Sequence, residues 1–268
     1  MARTFTTRFA VALAALLAGL SNARAQFTVT QDTIVSLDAG GTIREYTKAG
    51  ALSESLAITG GFGTLTGLTV LGDQVYVSNS GGNVGRVDLT TGAVTSVFIA
   101  TNGNEGLGDN GANLLAYNYS TGQVQEFTAT GSPVQSINVA NTGAGIDGWG
   151  SRIFVSELDG GSAIREFNQS GALVATITTG LPTGSITGLG YDPTADAYWV
   201  ATGAGDDRIR AFSPAGTELV GFPALTADVV GLDFVPVPEP TTVLAVAAAA
   251  LGLGAAARRR LRRPAATA

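Results

Sequence analysis

Between residues 26 and 236 apolar and polar positions alternate in short runs, and no stretch of any length keeps a helical period. Ala163-Ile164-Arg165-Glu166-Phe167 is typical: it suits a strand with one buried and one wet face. Each such run leads into a short turn that ends in glycine, at Gly50, Gly92, Gly131, Gly171 and Gly216.

The pattern repeats. A Gly-Leu pair, once Gly-Trp, recurs at Gly67-Leu68, Gly106-Leu107, Gly148-Trp149, Gly188-Leu189 and Gly231-Leu232, with intervals of 39, 42, 40 and 43 residues. Three strands are predicted in each unit. The first, rich in aromatic and β-branched residues, falls at 34–37, 75–78, 114–119, 153–156 and 198–201. The second falls at 42–46, 84–89, 123–127, 163–167 and 208–212, and the third at 52–58, 93–99, 133–139, 172–178 and 217–222. With the Gly-Leu strand this makes four strands per unit of about 40 residues, the period of a propeller blade. The first unit lacks a Gly-Leu strand, and the last such strand (229–237) lacks a following hairpin. The prediction is an all-β β-propeller of five four-stranded blades, the C-terminal strand completing the N-terminal blade and so closing the ring. A six-bladed ring with one degenerate blade, and a β-sandwich, are the alternatives.

The two ends read differently. Residues 1–25 have the form of a secretory signal peptide: Arg3 and Arg8, an apolar run from Phe9 to Leu20, and Ala23-Arg24-Ala25 as an A-x-A cleavage site. Cleavage there leaves Gln26 first. At the other end Val237-Pro238-Glu239-Pro240 is followed by 17 uncharged residues (241–257) and then by Arg258, Arg259, Arg260, Arg262 and Arg263. The run is predicted to be a short transmembrane helix, about 25 Å long, with the arginines cytoplasmic and the body on the other side. A buried amphipathic helix closing a soluble domain is the alternative. The expected divisions are signal peptide 1–25, propeller 26–236, sorting tail 237–263 and a cytoplasmic remnant 264–268.

The tail residues Pro238, Glu239 and Pro240, with the helix and Arg258 to Arg260 behind them, resemble the PEP-CTERM sorting signal of Gram-negative bacteria. That resemblance covers only the last thirty or so residues. It implies processing by an exosortase near the Pro-Glu-Pro, transient anchoring in the inner membrane, and delivery to the cell surface or matrix, often with exopolysaccharide or biofilm. The body, by the shape of its repeats alone, resembles NHL-type and lactonase-like propellers.

Charge narrows the chemistry. The body holds seven basic residues against twenty acidic ones, a net −13, which argues against nucleic acid as a partner. There is no cysteine and no histidine, so disulfides, thiol chemistry and a Ser-His triad are excluded. Carboxylates remain. In a propeller the residues at the head of the inner strands converge on the axis. Glu105 and Asp147, each preceding its repeated glycine, are therefore candidate ligands of a hard cation such as calcium, with Thr66 and Thr187 hydroxyls beside them. Capping of strand ends is the alternative use of all four. Gly106-Leu107-Gly108-Asp109-Asn110-Gly111 matches a dinucleotide fingerprint but lacks the helix that fingerprint needs. Trp149, Trp199, Tyr117, Tyr119, Tyr191 and Tyr198 suit a sugar-stacking surface or, more simply, the core. The expected function is that of a non-enzymatic surface or matrix protein binding polysaccharide or other matrix proteins. The alternative is a lactonase-, lyase- or glycosidase-type enzyme at the channel mouth.

Overall fold

A computed structural model describes residues 26–237, apart from 101–103, 140–142, 158–161, 204–205 and 227, and apart from the side chains of 104 and 105. The chain divides into two units, Met1–Val235 and Pro236–Ala268. The signal peptide predicted at 1–25, Pro238-Glu239-Pro240, the helix predicted at 241–257 and the arginine cluster lie outside the described residues. Among the described residues no helix is long and apolar enough to cross a membrane.

The first unit is a five-bladed β-propeller of four-stranded antiparallel blades. Blade 1 holds β1 (Thr33–Asp38), β2 (Thr42–Thr47) and β3 (Leu52–Ala57). Blade 2 follows as β4 (Leu65–Leu71), β5 (Gln74–Asn79), β6 (Asn83–Val87) and β7 (Val94–Ile99). Blade 3 is β8 (Asn104–Asp109), β9 (Leu114–Asn118), β10 (Gln123–Phe127) and β11 (Pro133–Asn138). Blade 4 is β12 (Ile146–Trp149), β13 (Arg152–Ser156), β14 (Ala163–Asn168) and β15 (Leu173–Thr178). Blade 5 is β16 (Ile186–Asp192), β17 (Ala197–Thr202), β18 (Arg208–Phe212) and β19 (Glu218–Pro223). The last strand, β20 (Val229–Val235), returns to blade 1 and pairs antiparallel with β1, from Thr33 opposite Val235 to Leu37 opposite Gly231. The ring closes as the repeat count required, and the six-bladed and sandwich alternatives fall away.

One marker is out of register. In blade 4 the glycine equivalent to Gly67, Gly106, Gly188 and Gly231 is Gly145, just before β12, and not Gly148. A Cβ on Gly145 would lie 2.9 Å from Leu189 of blade 5, just as one on Gly67 would meet Leu107 of blade 3 at 2.6 Å and one on Gly188 would meet Leu232 of blade 1 at 2.8 Å. The repeated element is thus Gly followed by Leu or Ile. The missing side chain lets neighbouring inner strands touch along the axis. The Trp149 marker misleads because the chain from Gly145 to Trp149 carries a second glycine three residues after the first.

Apolar packing lies between blades. Ile34, Tyr46 and Phe234 of blade 1 meet Trp199, Ile209 and Phe222 of blade 5. Val35 and Leu37 of blade 1 meet Leu68, Val75 and Val77 of blade 2, with Phe27 joining them. Three similar clusters fill the remaining interfaces. Trp199, Tyr117, Tyr191 and Tyr198 are all buried in this packing, so they follow the core reading and offer no stacking surface.

The recurring turn glycine has a second duty. Each tucks against the preceding blade: Gly216 of blade 5, at φ +77°, would carry a Cβ into the Thr178 carbonyl of blade 4. Gly50, Gly92, Gly131 and Gly171 do the same around the ring. Gly216→Ala is expected to cost at least about 2 kcal/mol, the left-handed backbone penalty plus the clash. For a domain of this size that is a fall of roughly 4–8 °C in melting temperature. Gly72→Ala is the control, since Gly72 has φ +69° but nothing within 4 Å of a built Cβ. It should cost only about 1 kcal/mol. Equal losses in the two variants would remove the interlocking role.

Candidate functional site

The axis is occupied by side chains from the position two residues after the inner-strand glycine. Those positions hold Thr69, Gly108, Asp147, Gly190 and Asp233. Alternation along a strand points this position the same way as the glycine, toward the next blade. Glycine at 108 and 190 leaves room: a Cβ on Gly190 would lie 2.8 Å from the Asp233 backbone, and one on Gly108 would meet the Asp147 backbone at 2.8 Å. Asp109, at the end of β8, turns into the same space.

The result is a hub to which every blade contributes. The Asp233 carboxylate of blade 1 accepts the Val70 N–H of blade 2 at 2.6 Å. The Thr69 hydroxyl of blade 2 lies 2.9 Å from Asp109 Oδ2 of blade 3 and 3.0 Å from Asp233 Oδ2. Asp147 of blade 4 accepts the Tyr191 N–H of blade 5 at 2.6 Å and, at a long 3.4 Å, the Asp109 N–H. One ligand oxygen from each of Asp109, Asp147 and Asp233 lies within 4.8 Å of the other two.

Three carboxylates so placed cannot all stay ionised without compensation. Asp147 is 3% exposed and Asp233 2%. Burial pushes both far above the ordinary carboxylate range, and mutual repulsion adds to it: Asp233 and Asp109 act on Asp147, and Asp109 acts on Asp233. Asp109 is pushed up to about 6, by burial, against the Gly111 N–H and the Thr69 hydroxyl that favour its anion. Thr69 supplies an independent argument. Its single proton faces two carboxylate oxygens, so without a cation a proton on one of those carboxyl groups must complete the chain.

Two states satisfy the hub. In one, protons are shared among the three aspartates. In the other, a hard divalent cation neutralises them. Oxygens facing each other across a bound calcium are about 5 Å apart, which matches the spread of these ligand atoms. The donor set is oxygen throughout, and suits calcium, magnesium or manganese rather than zinc.

Asp147, a residue named from the sequence, sits in this hub. Thr66 and Thr187 do not. They line the axial space nearer the strand starts, beside Gly67, Gly106 and Gly188. Thr187 instead caps blade 1, its hydroxyl donating to the Val229 carbonyl at 2.5 Å. The Glu105 side chain lies outside the described ones. Its position precedes Gly106 whereas Asp147 follows Gly145 by two, so the two residues are not equivalent as the misplaced marker implied. Sequence reasoning missed Asp109, Asp233 and Thr69. The signal was present as Gly145-Ile146-Asp147 and Gly231-Leu232-Asp233, the same tripeptide pattern in two repeats.

The space between the inner strands at the glycine ring is only ≈ 10 Å³, room for about one water.

No protein-family model matches the sequence, and no curated protein matches it. Solved structures do. A chain from the structure entitled "Crystal structure of Nidogen/Laminin Complex" aligns with TM-score 0.54 at 13% identity, over 75% of this chain and 97% of that one. One from the "Crystal structure of Myxococcus xanthus Glutaminyl Cyclase" aligns with TM-score 0.47 at 20% identity, over 63% and 69%. The chain has the β-propeller fold. At these identities the likeness extends to fold alone, and fold does not fix activity.

Proposed function

We propose that this chain is an exported propeller, cut by an exosortase near Pro238-Glu239-Pro240 and displayed at the cell surface or in the extracellular matrix. There it acts without catalysis and binds exopolysaccharide or matrix proteins. The observation that supports this is the closure of the ring. All twenty strands of the described residues lie between Thr33 and Val235, and the last pairs with the first. Removal of residues 1–25 and of the tail leaves every blade complete, as a cargo processed at both ends requires. The alternative is an enzyme of the lactonase, lyase or glycosidase kind acting at the channel mouth.

Changing Pro238, Glu239 and Pro240 together to alanine is expected to leave the chain in the inner-membrane fraction, with surface display falling at least about tenfold, because only a recognised motif is released. Immunoblots of fractionated cells, with and without an active exosortase, measure it. Unchanged surface display of the triple variant, or display that does not depend on the exosortase, would overturn the sorting assignment.

A further inference from the structure

The body contains seven basic side chains. Five are held by carboxylates, and Arg208 is held by the Gly221 carbonyl. Arg86 is the remaining one: its side chain is exposed, and among the described residues it makes neither a side-chain hydrogen bond nor an ion pair. Its place is specific. It lines a cavity of ≈ 560 Å³ between the segment that precedes β1 and the end of blade 2 formed by the β4–β5 turn, the end of β6 and the start of β7. The segment is pinned there: Phe27 is 3% exposed, and its N–H donates to the Leu89 carbonyl at 2.9 Å.

The groups around Arg86 explain why it is left over. Asp88 also lines the cavity, but its Oδ1 is committed to the turn, accepting the Thr90 and Thr91 N–H groups at 2.8 and 2.9 Å. Those bonds hold the Asp88 carboxyl below its ordinary range. Asp73 takes the Gln74 amide at 3.2 Å. Neither comes within ion-pair distance of the guanidinium. The wall thus offers one unspent planar fork beside hydroxyls and carboxylates, with Thr95 its cross-strand neighbour on β7.

A guanidinium fork matches a carboxylate in two parallel hydrogen bonds. Carboxylates, amides and hydroxyls around it accept from and donate to alcohol groups. The same two acids repel a multiply charged anion such as phosphate. The cavity volume falls in the range of small-ligand sites. We propose that this cavity binds a carboxylated sugar of the uronic-acid class, its carboxylate on Arg86 and its hydroxyls on Asp73, Asp88 and Thr95. The assignment rests on the matrix-polysaccharide reading and names the sugar that reading left open. A body of net charge −13 repels long polyanions. Recognition therefore falls on a single sugar unit, not on the summed charge of a chain.

The test titrates the full chain, in detergent, with galacturonate, with its neutral methyl ester and with inorganic phosphate, by calorimetry. Galacturonate should bind at least about tenfold tighter than the ester, the worth of one charge-assisted bidentate contact. Arg86→Gln should erase that difference at an unchanged melting temperature, and Thr95→Ala should weaken acid and ester alike. Equal affinity for acid and ester, or galacturonate binding that survives Arg86→Gln, overturns the proposal. Phosphate binding as tight as galacturonate reduces the site to a simple anion site and also overturns it. If Arg86→Gln does not fold, the acid-against-ester comparison on the unaltered chain decides alone. Failure of all three ligands ends this site and leaves the matrix reading to the fractionation test above.

Discussion

A chain ended after Asp228, so that β20 is missing, will show no cooperative melting transition, whereas one ended after Val237 will melt where the full chain does. β20 is the inner strand of blade 1, and no other strand can pair with the axial edge of β1. Its Val229, Leu232, Phe234 and Val235 are all at most 5% exposed. Burying four such side chains contributes on the order of 10 kcal/mol. That equals the entire stability of a typical domain, about 5–15 kcal/mol. The deletion also removes Asp233 from the hub and leaves two blades without a partner face. Circular dichroism melts of the two truncations decide the matter. A sharp transition in the shorter chain would mean that the ring closes without its last strand, and would weaken the argument that the body is complete before the tail begins.

The second large effect is the response of the hub to pH and to divalent ions. In metal-free buffer the chain should lose stability as pH rises from about 4 to 7.5. The sign follows from proton linkage. Asp109, Asp147 and Asp233 have folded-state affinities for protons above those of the unfolded chain. Their stabilisation is therefore complete below the unfolded value near 3.8 and is lost progressively as pH climbs from there to the folded values, the loss for Asp109 being complete just above about 6. For Asp109 alone a rise of that size corresponds to about 3 kcal/mol. Asp38, Glu126 and Asp206 act in the opposite sense. Their carboxyls are held below the ordinary range by Arg44, by Gln135 with Asn113, and by Arg210, so their contribution fades as pH falls. Self-repulsion of the acidic body runs with the hub. Variants therefore separate the hub's share: Asp147→Asn and Asp233→Asn should each flatten the slope between pH 5 and 7.5 and raise the melting temperature at pH 7.5 without metal.

Millimolar calcium provides the complementary arm. If the three carboxylates take a cation, calcium will raise the melting temperature at pH 7.5, the rise growing with pH and with concentration, and Asp147→Asn will abolish it. No calcium, magnesium or manganese effect would leave the shared-proton state as the hub's resting condition. A metal-free chain equally stable at pH 4.5 and 7.5, with slopes unchanged in both variants, would remove the hub as a titrating unit.

Much of the fold is legible in the chain because its signals are local. Period-two alternation, as in Ala163–Phe167, marks strands. The turn glycines mark hairpins, and the Gly-Leu spacing counts blades. The unmatched strand at 229–237 implies the closure, since a strand without a hairpin must borrow one. The site is less legible. Which residue of an inner strand faces the axis depends on register, and a register error of three at Gly148 assigns Asp147 wrongly to the row of Glu105 and Thr66. A period of about 40 residues tolerates such an error, because insertions between blades vary the interval anyway. Thr187 shows the other side of this: its type suits a ligand, but its hydroxyl is spent on the Val229 carbonyl of the next blade.

The sequence by itself determined the strand content, the number of blades and the shared first blade, since composition, alternation and spacing are properties of neighbours along a chain. Only the tertiary structure decided the hub and the cavity at Arg86. Asp233 lies 164 residues from Thr69, yet 3.0 Å separates their oxygens. No local pattern records that distance. It exists because the blades close into a ring narrow enough that glycine must stand wherever two inner strands touch, and the burial which follows is what turns three ordinary aspartates into a coupled group.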